Sequence, residues 1–219
     1  MEPSRCQRSE SLCAAALLAL SGGLLDAYTY LCRGGVFANA QTGNMVLLAI
    51  RAAEGDWGAV WRYLVPIAAF ACGVWVAEAV KRRQRGGGRF HWRHTVLGME
   101  IALVAAVAWV PLGPWDGAVN VAVSFVCALQ VEAFRKVRGR AFASTMCTGN
   151  LRSGTEALYR WGAVGEQQSL GTAGCYFAVI ACFLAGAALG GVLLPRLGQW
   201  TVLAAAGLQA AAFLWMCGQ

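Results

Sequence analysis

An all-α, polytopic membrane protein of about six transmembrane helices is the fold this sequence predicts, and three observations carry it. Only 13% of the 219 residues are charged and 58% are hydrophobic, whereas a soluble domain carries roughly 25% charged residues to keep its surface wet. Six stretches approach the roughly 20 apolar residues that a membrane-crossing helix needs. The Lys and Arg residues gather between those stretches, as they do in cytoplasmic loops under the positive-inside rule.

The six stretches are 12–32, 63–80, 95–113, 118–134, 171–195 and 201–217. Two more, 36–53 and 142–159, are intermediate in character. Arg5 and Arg8 ahead of an apolar run resemble a signal peptide. That run continues to Cys32, and its end belongs to a pattern repeated later, so it reads as a retained first helix.

With six spans and the N-terminus inside, fourteen of the 18 basic residues fall on the inner side. They are Arg5 and Arg8, the cluster from Lys81 to Arg93, the cluster from Arg135 to Arg140, Arg152 and Arg160. Arg33, Arg51, Arg62 and Arg196 are left outside. If both intermediate segments also crossed, Arg5 and Arg8 would move to the outer side. Arg152, Ser153 and Glu156 would then lie in a span, where a central Arg costs about 2.5–3.5 kcal/mol. Six spans is the better arrangement.

A net charge of +7 in a soluble protein would suggest nucleic acid, but there is no basic domain here to read a groove, and no such partner is expected. The nine cysteines lie mostly in apolar runs, where a thiol acts as a small hydrophobe. Without a Cys-x-x-Cys pair, and with His91 and His94 the only histidines, neither a metal site nor a disulfide framework is expected. No cofactor motif and no catalytic signature is present, so the expectation is a protein that is not an enzyme.

The chain repeats itself. Asp26-Ala27-Tyr28 matches Glu132-Ala133-Phe134 at an offset of 106 residues. Thr42-Gly43-Asn44 matches Thr148-Gly149-Asn150 at the same offset, as does Thr95-Val96-Leu97 with Thr201-Val202-Leu203. Phe70 and Gly73 match Phe183 and Gly186 at 113. The division is a cytoplasmic tail (1–10), a first membrane repeat (11–113) and a second (114–219). Three spans per half bring the halves into the membrane from opposite sides, an inverted-topology pair of the kind common in secondary transporters.

Each Thr-Gly-Asn follows a loosely structured approach, residues 37–41 (with Asn39) and 143–147, and precedes a short helix-like run. Thr and Asn are good helix N-caps and Gly allows tight backbone geometry. The expectation is a re-entrant or broken helix in each half, its N–H groups directed into a cavity where they attract negative charge. A capped helix that only closes a loop is the plainer reading; occurrence in both halves favours the site. Asp26 and Glu132, placed alike in the first helix of each half, are the ionisable candidates. Arg33 and the 135–140 cluster stand within reach to pair with them. Glu100 and Glu78 have no acidic counterpart, and Glu78 adjoins Lys81-Arg82-Arg83. The candidate site is therefore Asp26, Asn39, Thr42, Gly43, Asn44, Glu132, Thr148, Gly149 and Asn150. Gly22-Gly23 and Gly186-x-x-x-Gly190 are read as helix-packing surfaces. Trp57, Trp61, Trp92, Trp115 and Trp200 fall near span ends, as an aromatic belt requires.

Gly22-Gly23-x-x-Asp26-Ala27-x-x-Tyr30, Gly35-Val36-Phe37 and Thr42-Gly43-Asn44 resemble the YoaK-type bacterial membrane proteins, a domain of unknown function. The resemblance extends over essentially the whole chain. It implies a bacterial inner-membrane protein of about six helices, and it leaves activity open.

The expected function is a small secondary transporter or permease with its site between the repeats; the alternative is a non-transporting scaffold or partner subunit. The expected partners are the lipid bilayer and a small solute or ion, with self-association into a homo-oligomer left open. Both termini and the 81–93 loop are expected in the cytoplasm, with 54–56 outside. Reporter fusions at the C-terminus and at Asp56 check this: a periplasmic C-terminus removes the six-span arrangement and the inverted repeat together.

Overall fold

Ser11 opens the first long helix by accepting a hydrogen bond from the Ala14 N–H at 3.2 Å, the usual service of an N-cap side chain. In this computed structural model the described residues are 8–84, 92–137, 139–142 and 147–218. The readings placed on Arg5, on 85–91, on Arg138 and on 143–146 lie outside them. Helix α1 (Leu12–Cys32) ends where Gly34 and Gly35 take φ of +84° and +75°, a left-handed turn that glycine makes without strain. After an irregular passage come α2 (Gln41–Ala53) and α3 (Trp57–Gln84), which keeps its helix through Pro66 and ends on Lys81, Arg82 and Arg83. Cations there suit the negative end of the helix dipole.

Helix α4 (Trp92–Val107) stops short of Pro111 and Pro114, which disfavour helical backbone in the residues before them. Helix α5 (Asp116–Ala133) leads to a small antiparallel ribbon, β1 (Lys136–Val137) with β2 (Arg140–Ala141), in which Val137 faces Arg140. Then follow α6 (Cys147–Val164) and α7 (Gln167–Leu197). A 3-10 turn (Gly198–Thr201) joins α7 to α8 (Val202–Cys217). Five of the six apolar stretches are helical almost throughout and 95–113 is helical as far as Val107, while the intermediate stretches are helical from Gln41 and from Cys147.

Four helical stretches are long and apolar enough to cross a membrane: α1, α3, α5 and the continuous run Gln167–Cys217 formed by α7 and α8. Helix α4 has 16 residues, about 24 Å at 1.5 Å per residue, which is shorter than a hydrocarbon core of about 30 Å. At 13 residues α2 is shorter still, and α6 carries Arg152, Glu156 and Arg160. Neither α2 nor α6 is long and apolar enough for a span. The chain is thus a helical membrane protein with four candidate spans among the described residues.

Helices α1, α4, α5 and α8 form the centre. Leu24 and Tyr28 meet Val104, Val123, Cys127, Val202 and Ala205 in one core cluster, and Leu18 meets Leu97, Leu129 and Met216 in another. Helix α7 lies along α1, and α3 lies along α5, with α6 packed on α7 and α2 on α3. Burial follows this order: the most apolar window of α1 is 67% buried and that of α5 56%, against 22% for α3. The outer faces display Trp57, Trp61, Trp75, Leu184 and Leu214. So large an exposed apolar surface would be an aggregation hazard in water and is ordinary against lipid.

Two pairs of helices touch backbone to backbone. A Cβ added at Gly186 of α7 would run into the Leu20 carbonyl of α1, and one at Gly23 of α1 into the Phe183 carbonyl of α7. Four residues on, Gly190 faces Ala27 and Leu24, so the Gly-x-x-x-Gly element serves close helix approach. Gly73 of α3 meets Phe125 and Ala128 of α5 in the same manner.

Arg33, expected among outer headgroup bases, points into the protein and is fully buried. Its Nε and Nη2 donate to the Tyr28 hydroxyl at 2.9 and 2.6 Å. Nη2 also reaches the Val110 carbonyl at 2.7 Å, and Nη1 the Pro111 carbonyl at 2.9 Å and Asp116 Oδ1 at 2.8 Å. The end of α1 is thereby tied to the loop between α4 and α5. That loop has run out of helical hydrogen bonds, and the guanidinium fork supplies donors to its free carbonyls.

Two sets of variants test this packing. Gly186→Val should greatly reduce folded protein, while Gly174→Ala, which meets nothing within 4 Å, should leave the melting temperature of the detergent-solubilised protein unchanged. Arg33→Met should lower unfolding free energy by about 3 kcal/mol, since it breaks a buried pair from one side; Arg33→Lys should recover only part of it, because an ammonium cannot reproduce the fork. Denaturation in mild detergent measures both.

Candidate functional site

The irregular passage between α1 and α2 is held by side chains. Asp26, buried on α1, accepts the Asn39 N–H through Oδ1 at 2.7 Å. Asn39 in turn donates Nδ2 to the Gly22 carbonyl of α1 at 3.1 Å. Asn44, wholly buried in the first turns of α2, accepts the Phe37 N–H at 3.0 Å. It also donates to the Phe37 carbonyl at 2.7 Å and to Gln41 Oε1 at 2.9 Å. The passage is thus stitched to the helix before it and the helix after it.

This corrects the capping expectation for α2. The residue at the N-cap position is Ala40, with no side-chain hydrogen bond to the first turn. Thr42, Gly43 and Asn44 lie inside the helix, and Asn44 reaches backward to close the loop. Gly43 is small for a local reason, since an added Cβ would come within 3.2 Å of the Phe37 ring. That ring stacks on Tyr30 with centroids 4.5 Å apart.

The first turns of α2 and α6 open onto one cavity of about 630 Å³. Its polar margin comes from Asp26, Asn39, Gln41 and Thr42 on one side and Thr148 and Gly149 on the other. Tyr30, Phe37, Phe70 of α3 and Phe183 of α7 supply most of the apolar wall. The starts of two helices, each the positive end of a dipole, therefore border the same space, with the Asp26 carboxyl beside them.

Over residues 14–215 the chain matches the model of the family described as "Protein of unknown function (DUF1275)". It belongs to that family. A relative is the UPF0700 transmembrane protein YoaK of Bacillus subtilis (strain 168), 27% identical over 144 residues, a match that spans 63% of each chain. No solved structure matches this chain.

Of the nine candidate residues in this DUF1275 chain, Asp26, Asn39, Thr42, Thr148 and Gly149 line the cavity. Gly43 lies beneath Phe37, and Asn44 and Asn150 are buried. Glu132 lies elsewhere: its Oε1 is 3.3 Å from Arg135 Nη1 and 3.7 Å from Lys81 Nζ. The two acids that align in sequence thus have different surroundings, Asp26 on backbone N–H groups and Glu132 on cations. Arg33 makes its ion pair with Asp116, and Glu78 pairs with Lys81 at 2.7 Å.

Three features of this region carried no site signal in the sequence. Phe70 and Phe183 were matched as repeat partners, yet nothing in an apolar helix distinguishes a cavity-facing Phe from a lipid-facing one. Glu100 had been set apart because no acid answers it in the other half; it proves fully buried. Gln209 of α8, also fully buried, is its neighbour. Asp26→Ala should disorder the 37–40 passage by removing the acceptor for Asn39, whereas Asp26→Asn keeps one. Limited proteolysis should therefore cut Asp26→Ala between α1 and α2 faster than either Asp26→Asn or the parent chain.

Proposed function

We propose that this protein is a small secondary transporter of the bacterial inner membrane, moving a small solute or ion through the cavity between α2 and α6. One observation carries the reading: two Thr-Gly-Asn helix starts, 106 residues apart in the chain, contribute to the wall of a single cavity. A scaffold has no use for such a convergence, because irregular polar backbone at membrane depth is tolerated only where protein buries it or water reaches it.

The proposed architecture has six spans, α1, α3, α4, α5, α7 and α8, with α2 and α6 as half-helices that enter the membrane without crossing. The 108–111 turn and the α7–α8 bend extend α4 and α8 toward full crossings. Element positions favour two repeats of inverted topology. Helix α2 begins at Gln41 and α6 at Cys147, and α3 ends at Gln84 and α7 at Leu197, which reproduces the offsets of 106 and 113. The exchange of partners agrees: α1 packs along α7 of the other half, and α5 along α3. Gly186 and Gly73, matched at 113, make the close approach in each. Halves related by such a pseudo-two-fold axis give a site that can open to either side by rocking. The inner face, with both termini, is the side of Lys81, Arg135 and Arg160. Transport without covalent chemistry needs no catalytic group.

The rival, a non-transporting partner subunit, predicts a cavity that binds nothing. Purified protein screened by thermal shift against sugars, amino acids, organic acids and inorganic ions should reveal a stabilising solute. That solute should accumulate in proteoliposomes under an imposed ion gradient. Thr42→Trp and Thr148→Trp, folded and inserted, should lower uptake about tenfold or more, the loss of at least 1.4 kcal/mol at the site. Uptake unchanged in both variants rules out this cavity as the route.

A further inference from the structure

Between α4 and α8 lies a carboxyl group with no salt bridge among the described residues. Glu100 is fully buried, and so is Gln209 across from it. Gln209 Nε2 donates to Glu100 Oε2 at 3.5 Å, the outer limit of a hydrogen bond. Glu100 Oε1 and Gln209 Oε1 have no hydrogen-bond partner among the described residues. Both of these atoms are acceptors when the acid is ionised, and two acceptors give each other nothing. Buried unpaired charge and buried unpaired polar atoms are both costly.

One proton removes both deficits. Placed on Glu100 Oε1, it donates to Gln209 Oε1 while Gln209 Nε2 continues to donate to Oε2. The acid and the amide then form a closed two-bond pair, shorter than the present single contact, with every polar atom used. The two orphaned oxygens are the two atoms such a pair would join. With the amide in the opposite orientation, the same proton would donate across the Oε2 contact and the amide N–H would meet the other oxygen.

We propose that Glu100 and Gln209 form a proton-binding site, in which Glu100 is held as the neutral acid hydrogen-bonded to the Gln209 amide. Water supplies the proton: hydronium gives it to the carboxylate and leaves as water, and the site goes from a charge of minus one to neutral. This goes beyond the transport reading and holds whether or not a solute moves.

Charged and titratable groups around the site are few. From α5, Cys127 is buried in the core cluster that also holds Val104 of α4 and Ala205 of α8. On α1 the buried acid is Asp26, which accepts the Asn39 N–H. On α4 itself, Arg93 is engaged with Glu10 at 3.1 Å and with the Ala133 carbonyl at 3.0 Å, and His94 packs edge-on to Phe213. Glu78 of α3 is paired with Lys81, and the titratable residue of α8, Cys217, lies at its end. Among the described residues no cation pairs with Glu100, so a proton is the charge that neutralises it.

Infrared spectroscopy of the full chain in lipid at neutral pH tests this. A carbonyl band of a protonated, buried carboxylic acid should be present, and Glu100→Gln should remove it. Gln209→Leu should keep the band and shift it to higher wavenumber, because the hydrogen bond to the acid is gone. A spectrum in which Glu100→Gln removes only carboxylate bands overturns the proposal. Should Glu100→Gln fail to accumulate, Gln209→Leu decides alone: a buried-acid band that shifts supports the pair, and one that is absent or unmoved overturns it.

Discussion

Backbone that leaves helical geometry at membrane depth must find its hydrogen bonds inside the protein, because lipid offers none and each unsatisfied group costs several kcal/mol. The passage from Arg33 to Ala40 meets that demand with side chains. Asp26 and Asn39 tie it to α1, Asn44 ties it to α2, and Asn120 of α5 donates to the Arg33 carbonyl at 2.7 Å. Arg33 itself satisfies the carbonyls of a second break, at Val110 and Pro111. Polar residues that are rare in this chain are thus concentrated where the helices stop. The cavity exists because the passage is held: α2 can begin inside the molecule, with its N-terminus toward α6, only if the segment leading to it needs no water.

The rest of the packing follows from the absence of a hydrophobic driving force between helices in lipid, where association depends on close contact and small residues. Gly23, Gly186 and Gly190 bring α1 and α7 together at backbone distance, and Gly73 does the same for α3 and α5. Larger side chains are left to face outward, which is why α3 is long, apolar and little buried. The central helices α1, α4, α5 and α8 then enclose the buried polar atoms, Glu100 and Gln209 among them.

The same physics separates the two aligned acids. Asp26 sits a turn and a half before the end of α1, where loop N–H groups compete for it. Glu132, one residue before the end of α5, emerges among Lys81 and Arg135. The two acids stand 106 residues apart in matching sequence, but their position in the helix and the neighbouring charge give them different roles in the fold.

Membrane character, the helical nature of all eight segments and their approximate limits were determined by sequence alone. Those properties depend on local composition: an apolar run of sufficient length, terminated by glycine, proline or a cluster of bases, has one way to satisfy its backbone in lipid. The recurrence of Thr-Gly-Asn and of the glycines of α3 and α7 at fixed spacing is likewise a property of the sequence, and five of the residues that line the cavity were legible in it. Tertiary structure alone decided which long-range partner each polar group takes. Arg33 looked like an outer base in reach of Asp26 and is a buried clamp on Asp116; Asn44 looked like a cap and is a loop tie; Glu100 had no counterpart in the other half and is fully buried. The apolar stretch 95–113 reads as one helix, and only Pro111 and the Arg33 contacts show that α4 stops at Val107. Composition specifies the solvent of a segment, but the direction of a side chain depends on which helix packs against it, and in this protein that neighbour is usually a hundred residues away.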